Sequence, residues 1–342
     1  MALSPRHRSR PRAALAMSPD AAAAVLDEEA LAALDDVCAL EHPLPLDDFT
    51  TARARAVLAR VELLVTGWGC PPLDASVLAA APRLRAVVHT AGSVREHITD
   101  ACWRRGVAVS SAAAANALPV AEYTVAMILL TGKRVLERAR SFTAERRRED
   151  PMRTPRAIGN YGRTVGILSA SHIGRGVIER LRPYDMEVLL HDPYVDAREA
   201  AALGVRAVGL QDLFTDSDTV SVHTPLLPAT RGLVSRELLA SMRRDAVLIN
   251  TARGAVVDQD ALTEVVTAGR IRAVLDVTEP EVLPPGHPLW DCANVLLTPH
   301  LAGSQGNEWC RLSDLAVSEV ARWAAGVGFA HPVTAERAPF LA

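Results

Sequence analysis

The chain has 342 residues, 49% of them apolar, and a formal net charge of −3. This length predicts about two domains, and the small net charge excludes a general electrostatic attraction to nucleic acid or to an anionic membrane. Because we find no apolar run of about 20 residues, we expect no membrane span and no membrane partner. The five cysteines are odd in number and have no C-x-x-C spacing, which indicates reduced thiols in the cytoplasm rather than a disulfide framework or a zinc site.

Residues 1–16 contain the basic stretch RHRSRPR, which could be a targeting segment or a nucleic-acid-binding arm. No apolar segment of the secretory type follows, so we predict a disordered tail. From about Arg53 short apolar strands alternate with helical stretches, beginning with VELLVTGW (61–68) and RAVVHTAG (85–92). This alternation predicts parallel βαβ units.

Residues 117–140 carry apolar residues at helical spacing and predict one long helix, followed by a polar loop or linker over 145–162. The strand RTVGILSA (163–170) comes next. Further strand-like runs are EVLLHD (187–192), DTVSVH (218–223), AVLIN (246–250), AVLDV (273–277) and NVLLTPH (294–300). This number of strands predicts a doubly wound parallel sheet, whose ligand binds beyond the carboxyl ends of the strands.

The turn after the first of these strands reads Ser169-Ala170-Ser171-His172-Ile173-Gly174, where a dinucleotide-binding turn has G-x-G-x-x-G. Only the third glycine is present. Asp192, however, ends the next strand 21 residues after Ser171, close to the offset at which an acid binds the ribose hydroxyls of NAD. The serine hydroxyls and the helix amides could then hold a phosphate. The alternative is a packing turn without a ligand.

Six segments resemble, in order, those of the D-isomer-specific 2-hydroxyacid dehydrogenase family. They are VVHTAGSVREHIT (87–99), NALPVAEYTVAMILL (116–130), VSVHTPLLPATRGLVS (220–235), INTARGAVVD (249–258), LDVTEPEVLP (275–284) and LLTPHLAG (296–303). The resemblance implies an α/β protein with two Rossmann-like, doubly wound parallel-sheet domains. It places an NAD-binding domain at 121–304, including the crossover helix, inserted into a substrate domain of 17–120 plus 305–342. It also implies a homodimer packed through the cofactor domains and a substrate cleft between the domains.

The family's catalytic roles fall on three residues of this chain. Arg253 resembles the arginine that binds the substrate carboxylate and carbonyl, and His300 resembles the proton donor and acceptor at the reacting oxygen. The third residue is a glutamate that favours the imidazolium form of the histidine. Glu279 precedes proline, as the family glutamate usually does, but counting from Asp276 selects Glu281, with Val282 as a departure. We favour Glu281 and interpret Glu279 as a solvated loop acid.

The resemblance also implies an NAD site and a substrate site, and no metal. Asp276 resembles the residue that fixes the nicotinamide carboxamide, and His223 lines the cofactor pocket through its backbone. The full expected NAD site comprises Ser169, Ser171, His172, Ile173, Asp192, His223, Thr224, Pro225, Thr230, Thr251, Ala252, Arg253, Asp276, His300 and Gly303. The substrate carboxylate is expected on the backbone amides of Ala91, Gly92, Ser93 and Val94 and on Arg253, with His300 at the 2-oxygen.

Together these residues predict reversible hydride transfer between NAD(H) and a small-molecule 2-hydroxy or 2-oxo acid. The alternative within the same superfamily is a nicotinamide-sensing, corepressor-like regulator without significant catalysis. A methyltransferase-type domain would suit the relaxed turn but leaves T-A-R-G and T-P-H unexplained. We assign no catalytic role to His89, His97 or His172, and we favour packing in a core or an interface over pocket closure for Trp68, Trp290 and Trp309.

Overall fold

The structure is a computed structural model that describes residues 10–42 and 44–340. The chain divides into two compact units: unit 1 comprises the residues up to Asn116 and from Ser304 onward, and unit 2 comprises Ala117–Gly303. The sequence placed these boundaries at 120/121 and 304/305. Within the described ranges, each unit contains one sheet.

The strands of the described residues are, in chain order, β1 Arg12–Ala16, β2 Ala39–Leu40, β3 Leu63–Thr66, β4 Ala86–His89, β5 Ala108–Ser111, β6 Arg163–Leu168, β7 Met186–His191, β8 Arg206–Ala207, β9 Thr219–Val222, β10 Val247–Asn250, β11 Arg272–Leu275, β12 Val295–Leu297 and β13 Pro332–Val333. The helices are α1 Pro19–Val25, α2 Glu28–Val37, α3 Ala52–Leu58, α4 Ala75–Ala80, α5 Asp100–Arg105, α6 Ala113–Gly132, α7 Val135–Glu145, α8 His172–Leu181, α9 Ala197–Leu203, α10 Leu210–Asp216, α11 Arg236–Ser241, α12 Gln259–Thr267 and α13 Trp309–Ala324.

The sheet of unit 1 has the strand order β13-β5-β4-β3-β1-β2, in which only the β13–β5 pair is antiparallel. Both faces are covered, because successive residues of one strand join different cores. Along β4, Ala86 and Val88 pack into one apolar cluster and Val87 into another. This is the alternation expected of a strand buried on both sides.

The prediction of a disordered tail over residues 1–16 is wrong for its last part. Arg12–Ala16 form β1, which pairs with β2 and β3 and has four buried residues. Burial of the apolar stretch Ala13–Ala16 favours the strand, and the charged neighbours Arg10 and Arg12 pair with acids at the surface. Residues 1–9 lie outside the described residues.

The sheet of unit 2 is parallel throughout, with the order β12-β11-β10-β9-β6-β7-β8. The chain starts at the central strand β6, builds outward to β8, and returns to continue from β9 on the other side. The switch point therefore lies between β6 and β9, where doubly wound sheets bind ligands at the carboxyl ends of the strands. The mixed α/β fold with two parallel-sheet domains confirms the fold class predicted from the sequence.

The single helix predicted over 117–140 is wrong, because α6 ends at Gly132 and α7 begins at Val135. Arg134 between them has a φ of 52°, which a continuous helix does not allow. The last carbonyls of α6 have other partners: Asn160 Nδ2 donates to Leu129 O, and Gly159 N donates to Gly132 O. A Cβ on Gly132 would lie 1.9 Å from Asn160 Oδ1, so only glycine permits this cap.

Helix α6 also corrects the expectation that the chain has no apolar run of membrane-spanning length. By length and composition alone, Ala113–Gly132 could cross a membrane. In the structure Ala121, Val125 and Ile128 are buried in the core beside β6 and β10. The helix is therefore accounted for as a core helix of the fold.

Candidate active site

The serine turn lies at the switch point of the sheet in unit 2. Ser169 follows β6 with a φ of 81°, a left-handed conformation that glycine adopts far more readily than serine. Its N–H donates to His191 O at 2.9 Å, and its Oγ lies 2.9 Å from the Oγ1 of Thr224, which follows β9. The turn thus keeps the backbone path of the missing first glycine, held by bonds to the neighbouring strands.

The second serine begins the helix that follows the turn. Ser171 is the N-cap of α8, and its Oγ accepts a hydrogen bond from Gly174 N at 3.3 Å. A Cβ on Gly174 would lie 2.1 Å from Ser169 O, so the one remaining glycine is sterically required. His172 is exposed in the first turn of α8, and Ile173 packs against the core. The helix amides therefore face the position that a phosphate takes in such turns.

Asp192 joins the end of β7 to this turn. Its Oδ2 accepts from Ala170 N and its Oδ1 from Tyr194 N, both at 2.8 Å. A cavity of about 280 Å³ adjoins it, lined by Leu190, His191, Asp192, Val195, Ala207, Val208 and Gly209. The carboxylate gives this cavity a negative edge that suits ribose hydroxyls and disfavours a phosphate.

The segment after β9, which is expected to line the cofactor pocket, contains an uncharged histidine. Burial lowers the pKa of His223 to about 3, so the ring is uncharged at neutral pH. Its Nε2 lies 2.9 Å from Ser221 Oγ, and its buried Nδ1 has no hydrogen-bond partner within the described chain. Thr230 Oγ1 donates to Pro225 O and accepts from Leu227 N, so its hydroxyl folds the loop. These contacts give Thr230 a structural role and leave its expected contact with the cofactor a prediction.

Arg253 lies on a tight turn after β10. Asn250 orders the turn, with its Oδ1 accepting from Ala252 N and its Nδ2 donating to Arg253 O, both at 3.0 Å. A Cβ on Gly254 would lie 2.1 Å from the carbonyl carbon of Thr278, so the turn and the segment after β11 approach at backbone distance. The glycine of T-A-R-G is therefore required for this approach.

Asp276 is the buried anchor of the segment after β12. Its Oδ1 accepts from Thr298 Oγ1 at 2.6 Å and from Leu301 N at 2.9 Å, and its Oδ2 accepts from Ala302 N at 3.0 Å. Tyr123 OH lies 2.9 Å from Thr298 Oγ1, and it is the donor there because the threonine hydrogen is directed to Asp276. Asp276 thus fixes the backbone that carries His300, a function that the sequence comparison did not assign to it.

His300 and Glu281 form the ionisable pair of the site. His300 Nδ1 lies 2.6 Å from Glu281 Oε1, and about half of each side chain is exposed. The φ of His300 is 51°, a strained conformation for a side-chain-bearing residue that is found most often at functional sites. Between the two candidate glutamates, the geometry favours Glu281, because its carboxylate contacts His300, whereas the backbone N and O of Glu279 bond the side chain of Gln259.

In unit 1, the expected substrate loop Ala91–Val94 follows β4 and is held by its backbone. Ala91 O accepts from Ala112 N at 3.0 Å, and Val94 O accepts from His97 N at 3.3 Å. His89 and His97 flank the loop, and their rings, 4.4 Å apart, both contact Thr66 Oγ1 at 3.0 and 3.2 Å. Because a hydroxyl donates one hydrogen, it donates to one ring and accepts from the other.

This histidine pair is neutral at physiological pH. Burial lowers the pKa of His97 to about 4, and burial, reinforced by His97, lowers the pKa of His89 well below its ordinary value. The sequence analysis assigned no catalytic role to either histidine. The available signal was the position of Thr66 and His89 at the ends of two otherwise apolar strands, with His97 in the loop that follows the second.

The tryptophans differ in their environments. Trp309 donates to Ser304 O at 2.7 Å and packs against the buried cluster of Leu312, so it is a packing residue as expected. Trp68 and Trp290 are 45% and 50% exposed, so neither fills a core. Trp68 follows β3, at the same sheet edge of unit 1 as the Ala91–Val94 loop.

A doubly wound parallel sheet with a phosphate-binding type of turn at its switch point is typical of a dinucleotide-binding protein, and the contact between His300 and Glu281 lies at the same sheet edge. The family model described as "D-isomer specific 2-hydroxyacid dehydrogenase, NAD binding domain" matches residues 125–302, more than half of the chain. The chain belongs to the D-isomer specific 2-hydroxyacid dehydrogenase family, as the sequence predicted, and its unit 2 contains the NAD-binding domain.

Similar proteins include a D-3-phosphoglycerate dehydrogenase of Mycobacterium tuberculosis, 36% identical over 68% of this chain and 43% of that protein. A glyoxylate reductase of Korarchaeum cryptofilum is 33% identical over 73% of this chain and 76% of that protein. The chain thus spans less than half the length of the mycobacterial relative. Among solved structures, a phosphoglycerate oxidoreductase from Rhizobium etli aligns with a TM-score of 0.81 and 25% identity, covering 96% of this chain and 99% of that one.

Proposed function

We propose that the protein is an NAD-dependent D-2-hydroxyacid dehydrogenase that interconverts a 2-hydroxy acid and its 2-oxo acid. The observation that carries this proposal is the 2.6 Å contact of His300 Nδ1 with Glu281 Oε1 at the carboxyl edge of an NAD-binding sheet. The printed names of the relatives, a phosphoglycerate dehydrogenase and a glyoxylate reductase, support small 2-hydroxy or 2-oxo acids as the substrate class.

The residues of unit 2 fit the cofactor. Gly174 leaves no room for a side chain, Asp192 edges a cavity of about 280 Å³, and the buried Nδ1 of His223 lacks a partner among the described residues. We assign the pyrophosphate to Ser169, Ser171 and the start of α8, and the ribose to Asp192. Bound NAD(H) would donate or accept the hydride at C2 of the substrate.

Groups of the protein itself would exchange the proton with the substrate and bind the substrate's carboxylate. Glu281 holds the Nδ1 side of His300, which leaves Nε2 to exchange a proton with the 2-oxygen of the substrate. The Arg253 guanidinium is suited to bidentate binding of the substrate carboxylate. We assign the same carboxylate to the backbone amides of Ala91–Val94, a loop with no acidic side chain among its four residues. No observation favours the alternative of a corepressor-like regulator.

A substrate panel tests this function. Glyoxylate, hydroxypyruvate, pyruvate and longer 2-oxo acids would be incubated with NADH and then NADPH, following absorbance at 340 nm and the chirality of the product. We expect turnover of at least one acid to the D-product, with a higher kcat/KM for NADH than for NADPH because Asp192 repels a 2′-phosphate. NADH binding without oxidation by any acid would contradict the proposal, and a preference for NADPH would contradict the role of Asp192.

Arg253 variants sharpen the test. Arg253→Gln should raise the KM for the 2-oxo acid by about one to two orders of magnitude, because a bidentate charged contact to the carboxylate is lost. Arg104→Gln, an exposed helix arginine in unit 1, is the matched control and should behave as the parent. An unchanged KM in Arg253→Gln would remove Arg253 from the substrate site.

We also propose a homodimer packed through the cofactor domains. Within the described helix Val135–Glu145 no residue is buried. Two apolar residues on the same face are exposed: Phe142 by 59%, and Val135, seven residues earlier, by 38%. An apolar face left uncovered in this way is typical of an interface. Light scattering should give the dimer mass, and Phe142→Glu should shift the protein towards monomer.

The five free thiols support the cytoplasmic location predicted from the sequence.

A further inference from the structure

Unit 2 contains a strongly basic segment that the proposed reaction does not use. Residues 133–163 include ten basic and four acidic side chains, a net charge of +6 in a chain whose total is −3. The segment comprises α7 and the loop that leads into β6. A local charge of this size needs a counter-charge, which is supplied by neighbouring acids or by a ligand.

Part of this segment lines a cavity of about 390 Å³. Arg163 and Arg272 are the first residues of β6 and β11, and Ala246 directly precedes β10, so the cavity lies at the amino ends of these strands. Asp192, Arg253 and His300 follow the carboxyl ends of strands in the same parallel sheet. The cavity is therefore separate from the expected cofactor site.

Guanidinium groups dominate the lining. Five arginines and two aspartates contribute to it, a net charge of +3: Arg134, Arg156, Arg163, Arg244 and Arg272 with Asp218 and Asp245. An uncompensated cluster of cations is unfavourable, since like charges held close together repel one another. The cluster is stabilised if an anion enters.

Three of the arginines are held in place by the protein. Arg272, with 8% of its side chain exposed, donates to Thr131 O at 2.9 Å and pairs with Glu137 at 3.1 Å. Arg134 pairs with Asp245 at 3.2 Å, and Arg163 donates to Ala157 O at 2.9 Å. These contacts position one wall of the cavity before any ligand binds.

The other two arginines have no carboxylate partner. Over residues 10–42 and 44–340, no acidic group lies within ion-pair distance of Arg156 or Arg244, and both side chains are exposed. They line the same cavity as the three anchored arginines. Their donors are available to a ligand, and the guanidinium fork binds phosphate and carboxylate oxygens in pairs.

We propose that this cavity binds a small, multiply charged oxyanion, either a phosphate ester or a polycarboxylate. The surplus of three positive charges selects an anion with more than one charge, and the volume of about 390 Å³ suits a metabolite-sized molecule. The cavity is a second ligand site of unit 2, and it does not depend on the activity proposed for the carboxyl edge.

Calorimetric titration of the 342-residue chain tests the site, with NADH present at saturation so that the dinucleotide site is occupied. Pyrophosphate and citrate are the two probes. We expect binding of at least one probe in the range of about 10 μM to 1 mM, weakened by added salt. Tighter binding of pyrophosphate identifies phosphate chemistry, and tighter binding of citrate identifies polycarboxylate chemistry.

Arg156→Ala/Arg244→Ala should weaken that binding by at least about tenfold, because two charged donors are removed. Arg156→Lys/Arg244→Lys, which keeps the charge but not the paired donors, should give an intermediate loss, and Arg104→Ala should bind as the parent. The site is refuted if the parent binds neither probe at about 10 mM, or if the Ala double variant binds as the parent does. A changed oligomeric mass of the double variant with unchanged probe affinity would instead assign the cluster to an interface between copies.

Discussion

The two loops expected to contact the substrate are anchored by opposite kinds of group. In unit 1, Ala91–Val94 lies over a neutral network in which Thr66 contacts His89 and His97. In unit 2, the segment carrying His300 is bound by the Asp276 carboxylate. Both loops follow parallel strands, so the topology alone does not explain the difference.

On the proposed function, the charge of the group that each loop would bind explains this difference. A loop whose amides receive a substrate carboxylate would be weakened by a buried carboxylate behind it, and neutral histidines avoid that repulsion. A segment whose histidine becomes a cation during proton exchange is stabilised by carboxylates, and both Asp276 and Glu281 contact it. Under the proposed function, each anchor therefore matches the charge that its loop would bind.

The largest expected effect comes from removing the imidazole of His300, which would carry the positive charge in the segment bound by Asp276. His300→Ala should lower kcat by about 10²–10⁴, because proton transfer to the 2-oxygen loses its donor. NADH affinity, measured by calorimetry, should stay near that of the parent. His331→Ala, an exposed histidine of unit 1, is the control. Turnover within a factor of about two of the parent would remove His300 from the chemistry.

Neutralising Asp276, the charged anchor of the His300 segment, should make the protein less stable to unfolding. Asp276→Asn replaces one acceptor oxygen by an NH₂ group that faces existing donors, so we expect the free energy of unfolding to fall by about 3 kcal/mol. Urea denaturation measures this loss. Asp260→Asn, at an exposed position of α12, should change it by less than about 0.5 kcal/mol. An equally small change in Asp276→Asn would show that the segment does not depend on the carboxylate.

The neutral histidine pair under the Ala91–Val94 loop should make the stability of the protein fall at acidic pH. Burial holds the pKa of His97 at about 4 in the folded protein, below its ordinary value of 6.5. Between these values the unfolded chain binds more protons, so stability is retained above pH 6.5 and falls as the pH drops towards 4. His97→Gln should remove part of this loss, about 2 kcal/mol, and His331→Gln should not. Parallel pH–stability curves for His97→Gln and the parent would contradict a buried neutral histidine.

The smallest effect is expected at the serine turn. Ser171→Ala removes the N-cap of α8 and should weaken NADH binding by less than about tenfold, because the helix amides remain. Ser235→Ala removes the equivalent cap of α11, where the serine Oγ accepts from Leu238 N, and should lower stability without changing NADH affinity. A loss far above tenfold would make Ser171 a principal phosphate ligand, and no loss would exclude it from the site.

The sequence predicted best those features that depend on local pattern. The βαβ unit around the serine turn follows from buried strands and from an acid at the right offset, and the preference for Glu281 follows from counting along one loop. The left-handed conformation of Ser169 falls at the first-glycine position of the dinucleotide-binding turn, whereas that of His300 was not predicted, because non-glycine residues rarely adopt it and no pattern marks it. These conformations are fixed by contacts with other strands.

Features created by distant contacts were missed. The end of α6 at Gly132 depends on the cap from Asn160, and the network under the substrate loop joins Thr66 to His97, 31 residues away. Strand β1 was assigned to a tail because its basic neighbours masked a short apolar run whose partners, β2 and β3, follow much later. A single sequence does not contain these pairings as local signals.

Steady-state kinetics on Thr66→Val and Asp276→Asn, assayed together with the best 2-oxo acid, test the contrast between the anchors most directly. Thr66→Val should raise the KM for the acid about fivefold with kcat retained, Thr66→Ser should restore it, and Asp276→Asn should lower kcat by about tenfold or more. NADH affinity of the Thr66 variants should stay that of the parent. If Thr66→Val and Asp276→Asn change the same kinetic parameter, or if Thr66→Val leaves KM unchanged, the two anchors do not serve separate charges and the account is wrong.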